Sequence, residues 1–379
     1  MKKYFAFFAS AALMMAACAK EEVNTPVDSP VAGETELITV ELNPGTKTSL
    51  NGKVTNWTAG DAVRVTANGT SLGNLEFNDK TGKFSGELNS AELEDAKEVT
   101  LNYPAGVTKV PTTQEAVADN FSTSNGNPTA LLEGTTTMAV LRAGNGAELS
   151  NKTALLKFSV AQAGTVTFEV GSTKYTVTGC EVGNTYYACV APATASFTAR
   201  IDGYLSKKAA NNVVFEANDV KNLGELPAPE PFSWGLVGKH QGWDMANLTP
   251  MYKVDNNVYA VLNISLQSNG FKFAKKDGDG SWKDQNNFGA WTATKDDYYE
   301  FGNSSNIDYG AWYGNNTSPI YSNNHSQKTN IGVTDFSKKY DIYVKVYNTW
   351  TDNETDGKGT GVGVKYTIVT AGTTVTYPN

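Results

Sequence analysis

The chain has 379 residues, 40% hydrophobic and 18% charged, a length that fits two or three packed domains and a composition that excludes a disordered chain. Its formal net charge of −8 argues against nucleic acid or anionic lipid as a partner. Three Arg (Arg64, Arg142, Arg200) and two His (His240, His325) leave little material for an imidazole base or an arginine clamp, so no catalytic residue is expected.

The chain opens on Lys2 and Lys3 followed by an apolar or small-residue run from Tyr4 to Ala17. That run is shorter than the about 20 residues a spanning helix needs, so residues 1–17 read as an export signal. Met15-Ala16-Ala17-Cys18 resembles the lipobox of bacterial lipoproteins, with Met15 where Leu is usual. The resemblance implies that Cys18 becomes the lipid-bearing N-terminus and that the partner at this end is the outer membrane. The acidic patch Glu21-Glu22 is similar to the surface-export signal of Bacteroidetes lipoproteins, which implies an outward-facing protein. Residues 18–36 mix Pro, Gly, Ser, Thr and acids without periodicity and read as a flexible tether.

From Leu37 to about Leu226, short runs alternate apolar and polar residues between Gly, Asn and Thr, the pattern of half-buried strands. Asn51-Gly52, Gly171-Ser172 and Gly183-Asn184 sit where hairpin turns belong, and Ser90 to Lys97 reads as a short helix with Ser90 as cap. The fold class is all-β, tandem immunoglobulin-like β-sandwiches, divided at 37–145 and 146–228. Cys180 and Cys189 flank the Gly183-Asn184 turn; a disulfide across that hairpin and two separately buried thiols are both open. Thr46 to Val54, followed by Asn56-Trp57 and Gly60-Asp61-Ala62-Val63, resembles the opening of fimbrillin-like lipoproteins of Bacteroidetes. Ala154 to Phe158, Tyr186-Tyr187 and Asn222-Leu223-Gly224 are similar to that family's closing pattern. The resemblance covers roughly residues 37 to 228 and implies scaffold or pilus-like structure without catalysis.

The Pro-rich run Pro227 to Pro231 marks a joint, set at residues 229–232, before a third β-sandwich at 233–379. Six of the seven Trp and twelve of the 18 Tyr fall in that last segment. Ser233 to Asp244, Thr249-Pro250-Met251, Tyr259, Gly270 to Phe273 and Trp282 with Asn287-Phe288-Gly289 resemble the domains of SusE/SusF-type outer-membrane starch-binding lipoproteins, over residues 233 to 290. Beyond Gly289 an aromatic insertion departs from that pattern. Sugars present apolar C–H faces rimmed by hydroxyls, so their sites need aromatic platforms among amides and ammonium groups. The candidate carbohydrate-binding residues are Trp243, Lys272, Trp282, Asn287, Trp291, Trp312 and Tyr313. Trp243 can equally be a structural plug, a solvated Lys272 is the ordinary outcome, and Trp234 reads as core. Phe271 and Phe273 should face the core, with Lys272 outward. No cofactor is expected, with calcium the one alternative left open. Asp277 with Asp279, and Asp352 to Gly357, have only part of the calcium-loop spacing. Asp296, Asp297 and Glu300 lack the arrangement of a hydrolase pair.

The expected function is non-catalytic capture of a poly- or oligosaccharide, starch-like first, at the cell surface, alongside other glycan-uptake proteins. The alternative is a fimbrial tip subunit or host adhesin; a loop-built glycoside hydrolase comes third.

Overall fold

The computed structural model describes residues 33–44, 57–116, 130–268, 270–275, 287–291, 299–301, 320–321, 328–333, 335–350 and 361–377. They are almost entirely β-structure, in three successive sandwiches. The lipobox with Cys18, the tether up to residue 32 and the Asn51-Gly52 turn lie outside them.

The first sandwich is built from β1 (Thr35–Val40), β2 (Leu42–Pro44), β3 (Ala62–Ala67), β4 (Thr70–Asn78), β5 (Lys83–Asn89) and β6 (Glu98–Tyr103). After β7 (Thr113–Glu115) come β8 (Leu132–Thr137), a helical turn α1 (Met138–Arg142) and β9 (Ala147–Asn151). The sheet order β1-β5-β4-β3-β6-β8-β9-β2 places β1 and β2 at opposite edges. Only Glu41 separates these two strands in sequence, so the sheet rolls up and closes through one broken strand. Alternation sets the inside: Val63, Val65 and Ala67 of β3 are buried while Arg64 and Thr66 between them are partly exposed.

The expected helix at Ser90 to Lys97 is corrected: these residues form isolated turns, Leu93 N donating to Ser90 O (3.0 Å) and Lys97 N to Glu94 O (2.9 Å). Arg142 donates to the carbonyls of Ser90 (3.1 Å) and Leu93 (3.3 Å) and pairs with Glu36 (2.9 Å) and Asp95. Ser90 Oγ is bonded to Glu36 instead of capping a helix. The helical turn forms at α1 instead, where the Thr137 hydroxyl accepts from Val140 N.

The second sandwich sets a three-stranded sheet against a five-stranded one. Its strands are β10 (Ala154–Val160), β11 (Gly164–Val170), β12 (Thr173–Cys180), β13 (Tyr186–Val190), β14 (Ala193–Ala195), β15 (Phe197–Ile201), β16 (Tyr204–Lys208), β17 (Val213–Phe215) and β18 (Val220–Leu226). Sheet orders are β13-β10-β18 and β16-β15-β11-β12-β7, with β14-β17 as a small separate pair. Gly171-Ser172 turns β11 into β12 as expected, Val170 facing Thr173. The Gly183-Asn184 turn does not make a hairpin. It carries the chain from one sheet to the other, because β13 pairs with β10 and β12 with β11 and β7.

Two consequences follow from that crossing. Cys180 packs in the second core and Cys189 in the first, and both thiols are free, so the disulfide alternative is settled in favour of separate burial. Burial pushes the Cys180 thiol up to about 11 and the Cys189 thiol up to about 12, which keeps both protonated and unreactive.

All five residues of β13 are buried. Tyr187 and Cys189 point into the first core with Leu155 of β10, while Tyr186, Ala188 and Val190 point into the second. One sheet therefore serves two cores. The exchange runs the other way as well: β7, which lies in sequence among first-sandwich strands, pairs in parallel with β12. Gln114 of β7 accepts from Cys189 N (2.9 Å) and donates to Cys189 O (2.8 Å), standing in for a neighbouring strand. Residues 147–151, expected in the second segment at 146–228, hydrogen-bond in the first sheet.

The third sandwich is formed by β19 (Pro231–Gly238), β20 (Thr249–Asp255), β21 (Val258–Ser265), β22 (Phe271–Lys275), β23 (Asn287–Trp291), β24 (Tyr299–Phe301), β25 (Ile320–Tyr321), β26 (Lys328–Thr329), β27 (Ile331–Val333), β28 (Lys339–Trp350) and β29 (Gly361–Thr370). Its main path is β24-β27-β22-β19-β20-β21-β28-β29, with β23 branching from β22 to β25 and β26. Phe271 and Phe273 are buried, and Trp234 is 6% exposed in the same core with Leu236, Ile342 and Tyr366. Residues 227–230 lie between β18 and β19, with Pro229 buried and Glu230 tied to Lys253 through both main chain (2.9 Å) and side chain (2.7 Å).

Candidate functional site

The described part of the aromatic-rich third sandwich brings Trp243 and Lys272 to one face of its sheet. Strand β19 ends at Gly238, where a Cβ would stand 2.5 Å from Gly270 O and 2.8 Å from Phe271; only glycine lets β19 and β22 approach this closely. Beyond it the chain makes a short 3-10 turn, Lys239–Gln241, and then passes through Gly242 (φ 78°) and Trp243 (φ 62°). A left-handed conformation is ordinary for Gly242 and costly for a bulky residue such as Trp243.

Several bonds hold the loop against that cost. Trp243 N donates to Gly238 O at 2.9 Å. The Gln241 amide accepts from Asp244 N (2.8 Å) and donates to Asp244 O (2.7 Å) and Asn247 O (3.1 Å). Asp244 in turn accepts from Ala246 N (2.9 Å) and from the Asn247 side chain (2.5 Å), and these bonds hold its carboxyl below its ordinary value. His240 shares a hydrogen bond with Thr249 Oγ1 at 2.9 Å, and burial lowers its pKa.

The Trp243 side chain, half-buried, packs with Leu248 on a small cluster of Val237, Met245 and Ala274. Lys272 is half-buried on β22 directly opposite Val237. Cross-strand neighbours share a face, and Lys272 alternates with Phe271 and Phe273, which point into the core. The arrangement sets an indole and a lysine on one face of the sheet beside a braced loop, chemistry suited to a hydroxyl-rich ligand with apolar faces.

Asn287 and Trp291 begin and end the short strand β23. In backbone register Asn287 is paired with Ala274 of β22 and Trp291 with Lys328 of β26. Trp282, Trp312 and Tyr313 lie outside the described residues, as do Cys18, Asp277, Asp279, Asp296, Asp297 and Asp352 to Gly357.

Two described motif residues of the first sandwich, Trp57 and Asp61, have structural employment. Trp57 Nε1 donates to Leu42 O at 2.9 Å, and its ring stands edge-on to Phe84 and Tyr103, each 5.0 Å away. Buried Asp61 accepts from Thr58 N and from the Tyr103 hydroxyl, both at 2.8 Å. No group of three or more His, Cys, Asp or Glu suited to hold a metal occurs among the described residues. No helix among them is long and apolar enough to cross a membrane.

No protein-family model matches the chain, and no curated protein matches it. Among solved structures, it is similar to a fimbrial protein of Bacteroides ovatus ATCC 8483 (12% identity, TM-score 0.31), over 52% of this chain and 51% of that one. Two candidate cell adhesion proteins are also similar. One is from Bacteroides uniformis ATCC 8492 (16% identity, 50% of this chain, 92% of that one, TM-score 0.28). The other is from Bacteroides ovatus ATCC 8483 (15% identity, 51% and 93%, TM-score 0.30). The fold described above rests on this chain's own strand ladders.

Proposed function

We propose that the chain is a non-catalytic cell-surface adhesion protein: a stiff arm of β-sandwiches, lipid-anchored at Cys18 in the outer membrane, whose aromatic-rich third sandwich meets the partner. The observation that carries this reading is the sheet shared by the first two sandwiches, with β13 buried on both faces. A sheet buried on both sides leaves no room for relative movement of its two neighbours, which suits a spacer. Among the described residues of the fimbrillin-like motifs, Trp57, Asp61 and Tyr186 are bonded within the fold, so partner contact is assigned to the third sandwich.

Glycan capture is the second reading, favoured by the juxtaposition of Trp243 and Lys272. It extends to Trp282, Asn287, Trp291, Trp312 and Tyr313 through the resemblance to starch-binding lipoproteins. One experiment weighs the two. Cells displaying the full chain are passed over immobilised maltooligosaccharides, other plant and host glycans, and glycan-free host protein layers. Retention on protein layers, unaffected by free oligosaccharide, supports adhesion. Retention competed away by a soluble glycan supports capture, and there Trp282→Ala and Trp312→Ala should each weaken binding about 5- to 30-fold, as expected for loss of 1 to 2 kcal/mol of aromatic contact. No retention on any surface overturns both readings, and shortening of the glycans would place the chain among hydrolases.

A further inference from the structure

The second and third sandwiches meet in a tightly bonded junction to which residues from three separate parts of the chain contribute. From the second, Arg200 of β15 lies between Glu169 of its own sheet (3.2 Å) and Val254 O of the third sandwich, to which Nη1 donates at 2.7 Å. Tyr204 of β16 accepts from Leu262 N at 3.1 Å and packs its ring on Tyr252 with centroids 5.1 Å apart. Lys208 pairs with Asp255 at 2.9 Å. Gly203, at φ 85°, closes the contact: a Cβ there would stand 2.8 Å from Leu262.

The third contribution is the segment that follows β29. Ala371 N donates to Lys339 O (2.9 Å), and Gly372 N to Asp341 Oδ2 (2.9 Å), while Asp341 Oδ1 accepts from Asn263 N (2.7 Å). These bonds turn the chain back across its own sheet. Val375 and Tyr377, half-buried, then pack on the cluster of Val254, Val258, Ala260, Tyr343 and Val369, the same cluster that receives Tyr204 from the second sandwich. The Tyr377 and Tyr343 rings lie 6.0 Å apart. Burial raises the Tyr377 hydroxyl above its ordinary pKa; Arg200 opposes that shift, and Asp255, Glu169 and Asp341 add to it. Tyr377 thus lies within electrostatic reach of Arg200 and Glu169, which belong to the other sandwich.

We propose that residues 371–377 are a strap that locks the third sandwich onto the second at a fixed angle, so that the Pro-rich segment at 227–231 does not act as a hinge. The covalent connection runs through residues 227–230 alone, and without the strap the junction would keep Arg200, Tyr204 and Lys208 but lose the side chains that fill the cluster behind them. Inter-domain contacts of modest area permit relative motion by default; here a third segment is packed into the contact.

The test uses the full chain carrying fluorophores on encoded non-natural residues at Val182 in the second sandwich and Phe336 in the third, which are 57% and 44% exposed. Single-molecule transfer efficiencies should give one narrow distribution for the parent chain. Tyr377→Ala should widen it at least twofold. Hydrogen exchange at the Leu262 amide, bonded across the junction, should rise at least tenfold, with Phe273 and Ile342 in the third core keeping parent rates. A broad parent distribution overturns the proposal, as does a narrow one that Tyr377→Ala leaves unchanged. Should Tyr377→Ala accelerate exchange throughout the third core, the milder Val375→Ala is read by the same two measurements, with the same outcomes for and against.

Discussion

Gln114 does the work of a missing strand. The residue is 4% exposed, and its side-chain amide presents one acceptor and one donor to the main chain of Cys189, with a further bond to Pro111 O at 3.0 Å. Gln114→Ala leaves a buried N–H and a buried C=O of β13 without partners, a cost of about 2–4 kcal/mol. Urea unfolding should show that loss, and Gln114→Glu should not repair it, because a carboxylate cannot donate to Cys189 O. The three arginines are likewise absorbed by the fold: Arg142 clamps β1 to the turns at 90–97, Arg200 joins two sandwiches, and Arg64 packs against Gly106. Their scarcity was legible in the sequence, but their stations were not, since Glu36, Val254 and Gly106, which they reach, are remote along the chain.

Period-two alternation made most strands legible, as in Ala62–Ala67 and Thr173–Cys180, and the Gly171-Ser172 hairpin with them. It failed where tertiary contact overrode local preference. The helix expected at Ser90 to Lys97 lost its carbonyls to Arg142, and the hairpin expected at Gly183-Asn184 became a sheet-to-sheet crossing. The continuous burial of Tyr186-Tyr187-Ala188-Cys189-Val190 has an apolar-run signature, but no local pattern says which cores lie on either side. Of the candidate site, Trp243 and Lys272 could be followed into the fold, and Phe271 and Phe273 turned inward as alternation requires. Glycines mark where strands cross closely. A Cβ on Gly86 of β5 would stand 2.1 Å from Asn74 O of the neighbouring strand. Gly86→Ala should therefore force β4 and β5 apart and cost about 1–3 kcal/mol as overpacking, read as a lowered urea midpoint, with amide exchange accelerated first in β4 and β5.

The first two sandwiches are one cooperative body by construction. Leu155, fully buried, belongs in sequence to the second sandwich and in space to the first core. Leu155→Ala should cost about 2–5 kcal/mol and destabilise both sandwiches together, whereas separate domains would show loss in one alone. Residue-resolved hydrogen exchange distinguishes these outcomes: rates should rise in β3 and β6 as well as in β11 and β15.

The sheet shared between the cores also fixes an order of events for a chain delivered from its N-terminus. When the last strand of the first sheet, β9, has emerged, its core still lacks Leu155, Tyr187 and Cys189, and β7 still waits for β12. Until residue 190 follows, the first sandwich has an open apolar flank and an unpaired strand, both prone to association with other chains. Under the proposed surface location, passage across a membrane would expose that flank for as long as the intervening residues take to cross. The compactness of the finished pair of sandwiches is thus bought with an interval of vulnerability during delivery.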